Sequence, residues 1–238
     1  MKEKKQNKSH AVMAQRHEDK DSLDNFPTPP WATRALLKYC LNKHNINKMK
    51  CLEPACNVGY MTNVLEDNFK SVKSSDIYDY GYGYEKSDFI HTKFKKNEFD
   101  WIITNPPFKL AEDFFFKANE VAKVGVALLV RTVFLESIGR YKNIFLKNPP
   151  SQFAQFSERV PMIKGKVDRK ASTATGYAWI IWEKNVRIKS KLVWIPPCRS
   201  KLERDEDYMP LKKTKKSTSV KKEKKKKYLK KQIDLFEE

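Results

Sequence analysis

Residues 124–130 (VGVALLV) form an unbroken run of apolar and glycine residues in a chain whose charged side chains make up 32% of the total. The run is far too short to span a membrane and has no polar alternation, so it reads as a strand covered on both faces. Such a strand needs a parallel sheet with helices above and below. The rest of the chain supplies both. FDWIIT, residues 99–104, is a second β-type run that stops at two prolines, and residues 49–53, 71–77, 177–182 and 191–195 read as further strands. Between them, Trp31, Ala35, Leu36 and Tyr39 recur at helical spacing after a Thr28 cap, as do apolar residues at 61, 64, 65 and 69 and again over 110–123. The pattern predicts an α/β domain with a mostly parallel sheet and helices on both faces.

A domain of this kind fits within 238 residues, and 40% hydrophobic content is enough to fill its core. Residues 1–22 are polar and charged without a period that would bury a face, so the domain is expected over 23–198, preceded by a flexible arm. From 199 to 231 the chain is rich in lysine, with twelve lysines against the single acid Glu223 between Leu211 and Lys231, and is expected to be disordered in isolation. The formal charge of +19 points to a polyanionic partner, with nucleic acid first. No apolar segment marks a membrane span or a secretory leader, which implies a cytoplasmic protein without a membrane partner. Cys40, Cys51, Cys56 and Cys198 form no CxxC pair. They are expected to be free thiols, with no metal site.

Three places carry candidate chemistry. The first is the turn after the strand at 49–53, Glu53-Pro54-Ala55-Cys56-Asn57-Val58-Gly59, whose small residues let a ligand approach the backbone at the carboxyl end of a strand. Asn57 stands at a glycine-like position there, and Asn is the residue after glycine that best tolerates a left-handed backbone. The second is Asp76, with Ile77 beside it, at the end of the next strand. A carboxylate there can accept hydrogen bonds from both hydroxyls of a ribose, and Asp79 is close enough in sequence to compete for that role. The third is Asn105-Pro106-Pro107-Phe108, directly after FDWIIT. An aromatic amine is a poor nucleophile because its lone pair is delocalised, so a catalyst must accept hydrogen bonds from its N–H groups. The side-chain oxygen of Asn105 and the carbonyl of Pro106 suit that task, and Phe108 suits stacking on a base turned out of a helix.

These segments resemble a known family. Glu53 to Gly59 resembles the first motif of class I methyltransferases, E-P-x-x-G-x-G, with Asn57 replacing the first glycine. The tetrapeptide at 105–108 matches the D/N/S-P-P-Y/F/W motif of amino-methyltransferases, and its spacing from the first motif is similar to that in N6-adenine DNA methyltransferases. The resemblance implies a Rossmann-like, seven-stranded sheet, S-adenosylmethionine as cofactor and no metal. It further implies that Phe26 and Thr28, in Phe26-Pro27-Thr28-Pro29-Pro30, pack over the methionine part of the cofactor. Glu53, Pro54, Asn57, Gly59, Asp76 and Ile77 would then surround the cofactor, and Asp88 and Phe89 would meet its adenine. Asn105, Pro106 and Phe108 would serve the acceptor amine.

Adenine in DNA is the acceptor implied, with RNA adenine or a protein amide as enzymatic alternatives and a non-catalytic DNA-binding module as an alternative of another class. Arg131, Arg140, Arg159, Lys164, Lys166, Arg169 and Lys170 supply further positive charge, most of it in a loop over 157–175 expected to meet phosphates. Gln232, Ile233, Asp234, Leu235 and Phe236 resemble the Q-L-S/D-L-F peptide that docks bacterial proteins on the DNA sliding clamp, with two apolar anchors at its end.

Overall fold

The computed structural model describes residues 24–184 and 190–211. Helix α1 (Pro30–Tyr39) begins at Pro30, and its cap position is Pro29, with no side-chain hydrogen bond, where the sequence had placed a Thr28 cap. A residue before a proline is driven to extended backbone, so Thr28 and Pro29 delay the first turn to Pro30, whose missing N–H would have no partner in any helix.

The elements that follow are β1 (Lys50–Glu53), α2 (Tyr60–Glu66), β2 (Ser71–Asp76), β3 (Glu85–Lys86), β4 (Phe99–Thr104), α3 (Ala111–Val121) and β5 (Ala122–Arg131). A short helix α4 (Ile138–Arg140) then leads to β6 (Gln152–Phe156), β7 (Tyr177–Glu183), β8 (Lys191–Ile195) and α5 (Arg199–Leu202). The strands make one sheet in the order β3-β2-β1-β4-β5-β7-β6-β8, eight strands in place of the seven expected. The two-residue β3 pairs with β2 at the edge, and every pair is parallel except those of β7 with β5 and β6.

β6 was not legible as a strand because its buried positions are Gln152, Ala154 and Phe156, so a polar residue occupies the inward face where an apolar one would signal it. Gln152 is accommodated there by donating to Glu183 Oε1 at 2.7 Å. The run at 124–130 behaves as its composition requires. Ala127 and Leu129 point into a core beneath α1 and α2 with Trp31, Trp101 and Trp179, while Val126, Leu128 and Val130 join Phe114, Phe115 and Ile180 beneath α3. Trp179, fully buried, satisfies its indole N–H on the Ala32 carbonyl at 3.1 Å, which ties β7 to α1.

The domain does not end at 198. Residues 199–211, assigned from sequence to the lysine-rich tail, fold back on α1, where the Arg34 guanidinium grips both oxygens of buried Asp207 at 2.7 Å and donates to the Leu202 carbonyl. A bidentate pair of this kind fixes orientation as well as position. The arm over 1–22 and the peptide from Gln232 to Phe236 lie outside the described residues. No helix among the described residues is long and apolar enough to cross a membrane.

The functional consequence of this topology is local. From β1 the chain moves outward to β2 and β3, then returns to the other side of β1 as β4. In an open sheet the crevice at such a reversal, beyond the carboxyl ends of the strands, is where ligands bind. Cys51 pairs with Trp101 and Leu52 with Ile102, so the turn after Glu53 and the turn after Thr104 emerge side by side.

Candidate active site

The turn after β1 is held by side chains as well as by backbone. Asn57 adopts φ 54°, the left-handed conformation its amide tolerates. Its Oδ1 accepts from the Val58 N–H at 2.8 Å, its Nδ2 donates to Asn25 Oδ1 at 2.8 Å, and its own N–H donates to Asp76 Oδ2 at 2.8 Å. Asp76 also accepts from the Tyr78 N–H at 3.0 Å. Burial raises its pKa, and the N–H groups of Tyr78 and Asn57 pull the other way. Asp79 does not compete for the site: it is exposed and accepts from the Gly81 N–H. Gly59, at φ 100°, caps α2, and a Cβ there would run into the Tyr84 ring. Its lack of a side chain serves the turn and the close approach of Tyr84.

Glu53 is fully buried, and burial, with a smaller push from the charge on Asp76, raises its pKa from 4.5 to about 8 against the pull of the Thr62 hydroxyl. Thr62 Oγ1 contacts both Glu53 Oε2 and, at 2.9 Å, Ser74 Oγ. Thr62 and Ser74 each carry a hydroxyl proton as well as lone pairs, so they can serve Glu53 as carboxylate or as acid, and burial favours the acid. Between pH 4.5 and about 8 the folded chain thus holds a proton that the unfolded chain has released. Stability is expected to fall with rising pH across that window, by up to about 1.4 kcal/mol per unit. Chemical denaturation at pH 5.5 and 7.5 checks this; Glu53→Gln should flatten the slope, and an unchanged slope would contradict the assignment.

On the neighbouring strand end, Asn105 Nδ2 donates to the Phe26 carbonyl at 3.0 Å and approaches Met162 Sδ at 3.9 Å. That bond orients the amide. No hydrogen bond among the described residues occupies Oδ1, so the acceptor atom is the one left for a ligand. Phe108 lies in a stack: its ring centroid is 6.0 Å from that of Phe26, the Arg131 guanidinium carbon sits 3.7 Å over it, and its backbone N–H donates to Asp24 Oδ2 at 2.8 Å.

The two turns open on one cavity of about 1140 Å³. Phe26, Thr28, Glu53, Pro54, Asn57, Asp76, Ile77, Asp88, Phe89, Asn105 and Phe108 all line it. Of the residues assigned from sequence to the cofactor or the acceptor amine, Pro106 and Gly59 do not: Pro106 is buried behind the wall, and Pro107 takes its place on the surface. Asp88 accepts from the His91 imidazole at 2.8 Å, which lowers its pKa, and from the Ile90 N–H.

Sequence reasoning missed Tyr80, Lys109 and Thr173 to Thr175 on the same wall and put Arg131 with the loop charges. Arg131 belongs to the cavity as the last residue of β5, and a cation closing a buried parallel strand was a signal for it. Of the loop charges, Lys166 pairs with Asp168 and Arg169 with Asp205, so those two are partly neutralised by neighbouring acids. Asp76 and Asp88 lie on the side of β1 and β2, whereas the cations Lys109 and Arg131 lie near the Asn105 turn together with Asp24 and Asp113.

No family model matches the chain, and no curated protein matches it in sequence. Its fold is similar to that of a modification subunit of a candidate type I restriction enzyme from Vibrio vulnificus, with a TM-score of 0.51 at 14% identity over 78% of this chain and 50% of that one. The likeness is one of fold, a mostly parallel Rossmann-like sheet with helices on both faces. This chain spans about half the length of the Vibrio protein. A candidate RNA methyltransferase from Pyrococcus horikoshii aligns with a TM-score of 0.49 at 15% identity, over 68% of this chain and 87% of that one. A dimethyladenosine transferase from Plasmodium falciparum aligns with a TM-score of 0.44 at 18% identity, over 67% and 62%.

Proposed function

We propose that the chain transfers a methyl group from S-adenosylmethionine to the exocyclic amine of adenine in DNA. The observation that carries this reading is the pairing of β1 with β4, which brings a turn suited to a nucleoside cofactor and a turn suited to an aromatic amine into one cavity. The donor set on the β1 and β2 side fits the cofactor: a strand-end carboxylate for a ribose, carboxyl groups for a cationic arm, and Ile77 and Phe89 for an adenine ring. When bound, S-adenosylmethionine supplies an electrophilic methyl on a sulfonium, and the new C–N bond forms as the C–S bond breaks and sulfur keeps the electron pair.

The chain's own part is positioning and hydrogen bonding. Asn105 Oδ1 accepts from an amine N–H, which favours a tetrahedral nitrogen with its lone pair directed at the methyl. Phe108 supplies an aromatic wall for the base, and the amine's surplus proton leaves to solvent. The charge of +19 favours a nucleic acid over a protein substrate. Incubation with methyl-labelled cofactor and DNA, RNA and bulk protein in parallel tests the acceptor. Label is expected in DNA; label in protein or RNA alone would overturn the assignment.

The peptide from Gln232 to Phe236 is proposed to dock on a bacterial sliding clamp, with the lysines before it following the phosphate backbone. Deleting residues 232–238 should abolish co-elution with a purified clamp. Co-elution that survives the deletion removes this part of the reading.

A further inference from the structure

Arg131 is a cation in the wall of the cavity. It lines the cavity at the end of β5, its guanidinium carbon sits 3.7 Å from the centre of the Phe108 ring, and its Nε is buried without a hydrogen-bond partner. Among the described residues it forms no ion pair, although the same cavity holds several carboxylates. Asp76 accepts from Asn57 and Tyr78 and Asp88 from Ile90 and His91, while Asp24, the acid on Arg131's side, accepts from the Phe108 N–H.

A buried donor without an acceptor is costly, and a guanidinium held by stacking presents its N–H fork in a fixed plane. That geometry matches a phosphate, whose oxygens accept two parallel N–H bonds. A neutral acceptor such as a side-chain amide would leave the charge as uncompensated as it is without ligand.

We propose that Arg131 is the centre of a phosphate subsite on the acceptor side of the cavity, gripping a phosphate that flanks the target nucleotide. This deepens the nucleic-acid reading above and rests on it. The stack on Phe108 makes the subsite part of the acceptor wall, since one residue on β5 and one in the Asn105 turn are locked together across neighbouring strands. Bound phosphate would fix the sugar, and with it the distance from the base amine to Asn105. Sequence discrimination is not required of it, because phosphate contacts position a nucleic acid without reading bases.

The test is a coupling cycle on the full chain. Oligonucleotides carrying a mapped target adenine are made with each flanking phosphate replaced in turn by a neutral methylphosphonate, and kcat/KM for methyl transfer is measured for the native chain, Arg131→Gln and Arg131→Lys. One methylphosphonate should lower the native kcat/KM by roughly tenfold. Arg131→Gln should lose about as much on the unmodified oligonucleotide and nothing more at that one position, while Arg131→Lys should keep most of the sensitivity. Losses that simply multiply at every position would overturn the subsite and leave Arg131 a packing residue for Phe108. A native chain that methylates no oligonucleotide, with cofactor binding intact by calorimetry, would remove the nucleic-acid reading and the subsite with it. A native chain that methylates the unmodified oligonucleotide but ignores every methylphosphonate would remove the subsite alone.

Discussion

Replacing Asn105 with alanine is expected to lower the rate constant for methyl transfer by roughly 100- to 1000-fold while leaving the cofactor Kd within about twofold. The magnitude is that of removing one preorganised hydrogen-bonding group aimed at charge that changes in the transition state. Asn105 is preorganised in this sense, because its Nδ2 is spent on the Phe26 carbonyl and only Oδ1 remains to act on a ligand. Single-turnover methyl transfer and calorimetric cofactor binding separate the two quantities. Asn105→Asp keeps an acceptor but loses the bond to Phe26, so its rate should fall between those of the native chain and the alanine variant. A rate for Asn105→Ala within tenfold of native would show that the amide does not act on the amine.

The second large effect is expected at Asp76. Asp76→Ala should weaken S-adenosylmethionine binding by about 100-fold or more, the worth of two hydrogen bonds to a charged acceptor. It should also lower stability by about 1–3 kcal/mol, because the N–H groups of Asn57 and Tyr78 both lose their acceptor. The two losses have a common origin: the carboxylate that would receive the ribose also fastens the left-handed turn at Asn57 to the end of β2. Asp79→Ala serves as the comparison, since that exposed acid holds only its own turn, and should change neither quantity appreciably. Equal effects of the two substitutions on cofactor affinity would contradict the assignment to Asp76.

What the sequence made legible follows from the kind of signal each feature leaves. Continuous apolar runs such as VGVALLV and FDWIIT are required by burial on two faces, so the central strands of the sheet could be read directly. β6 escaped because its inward face carries Gln152, whose partner Glu183 comes from a strand far along the chain. Residues 199–211 escaped for a similar reason. Arg204, Asp205, Glu206 and Asp207 look like solvated charge until Arg34, on a distant helix, supplies the partner that buries Asp207.

Within the site, turn chemistry was local and therefore readable. Asn57 adopts the backbone expected of it, and the segments around Glu53, Asp76, Asp88 and Asn105 reach one cavity. The stack of Arg131 on Phe108 was not readable, because it depends on the register between β4 and β5 and not on any spacing within one segment. The absence of Pro106 from the cavity wall has the same cause. Two consecutive prolines are equivalent as sequence, and only the path of the chain decides which one faces the ligand.

The most direct measurement of the central claim is the identity of the methylated base. DNA incubated with the native chain and S-adenosylmethionine is digested to nucleosides and examined by mass spectrometry. N6-methyladenine is predicted, at a level that falls to background for Asn105→Ala; a methylated cytosine in its place, or methyl groups recovered only from protein, would contradict the account.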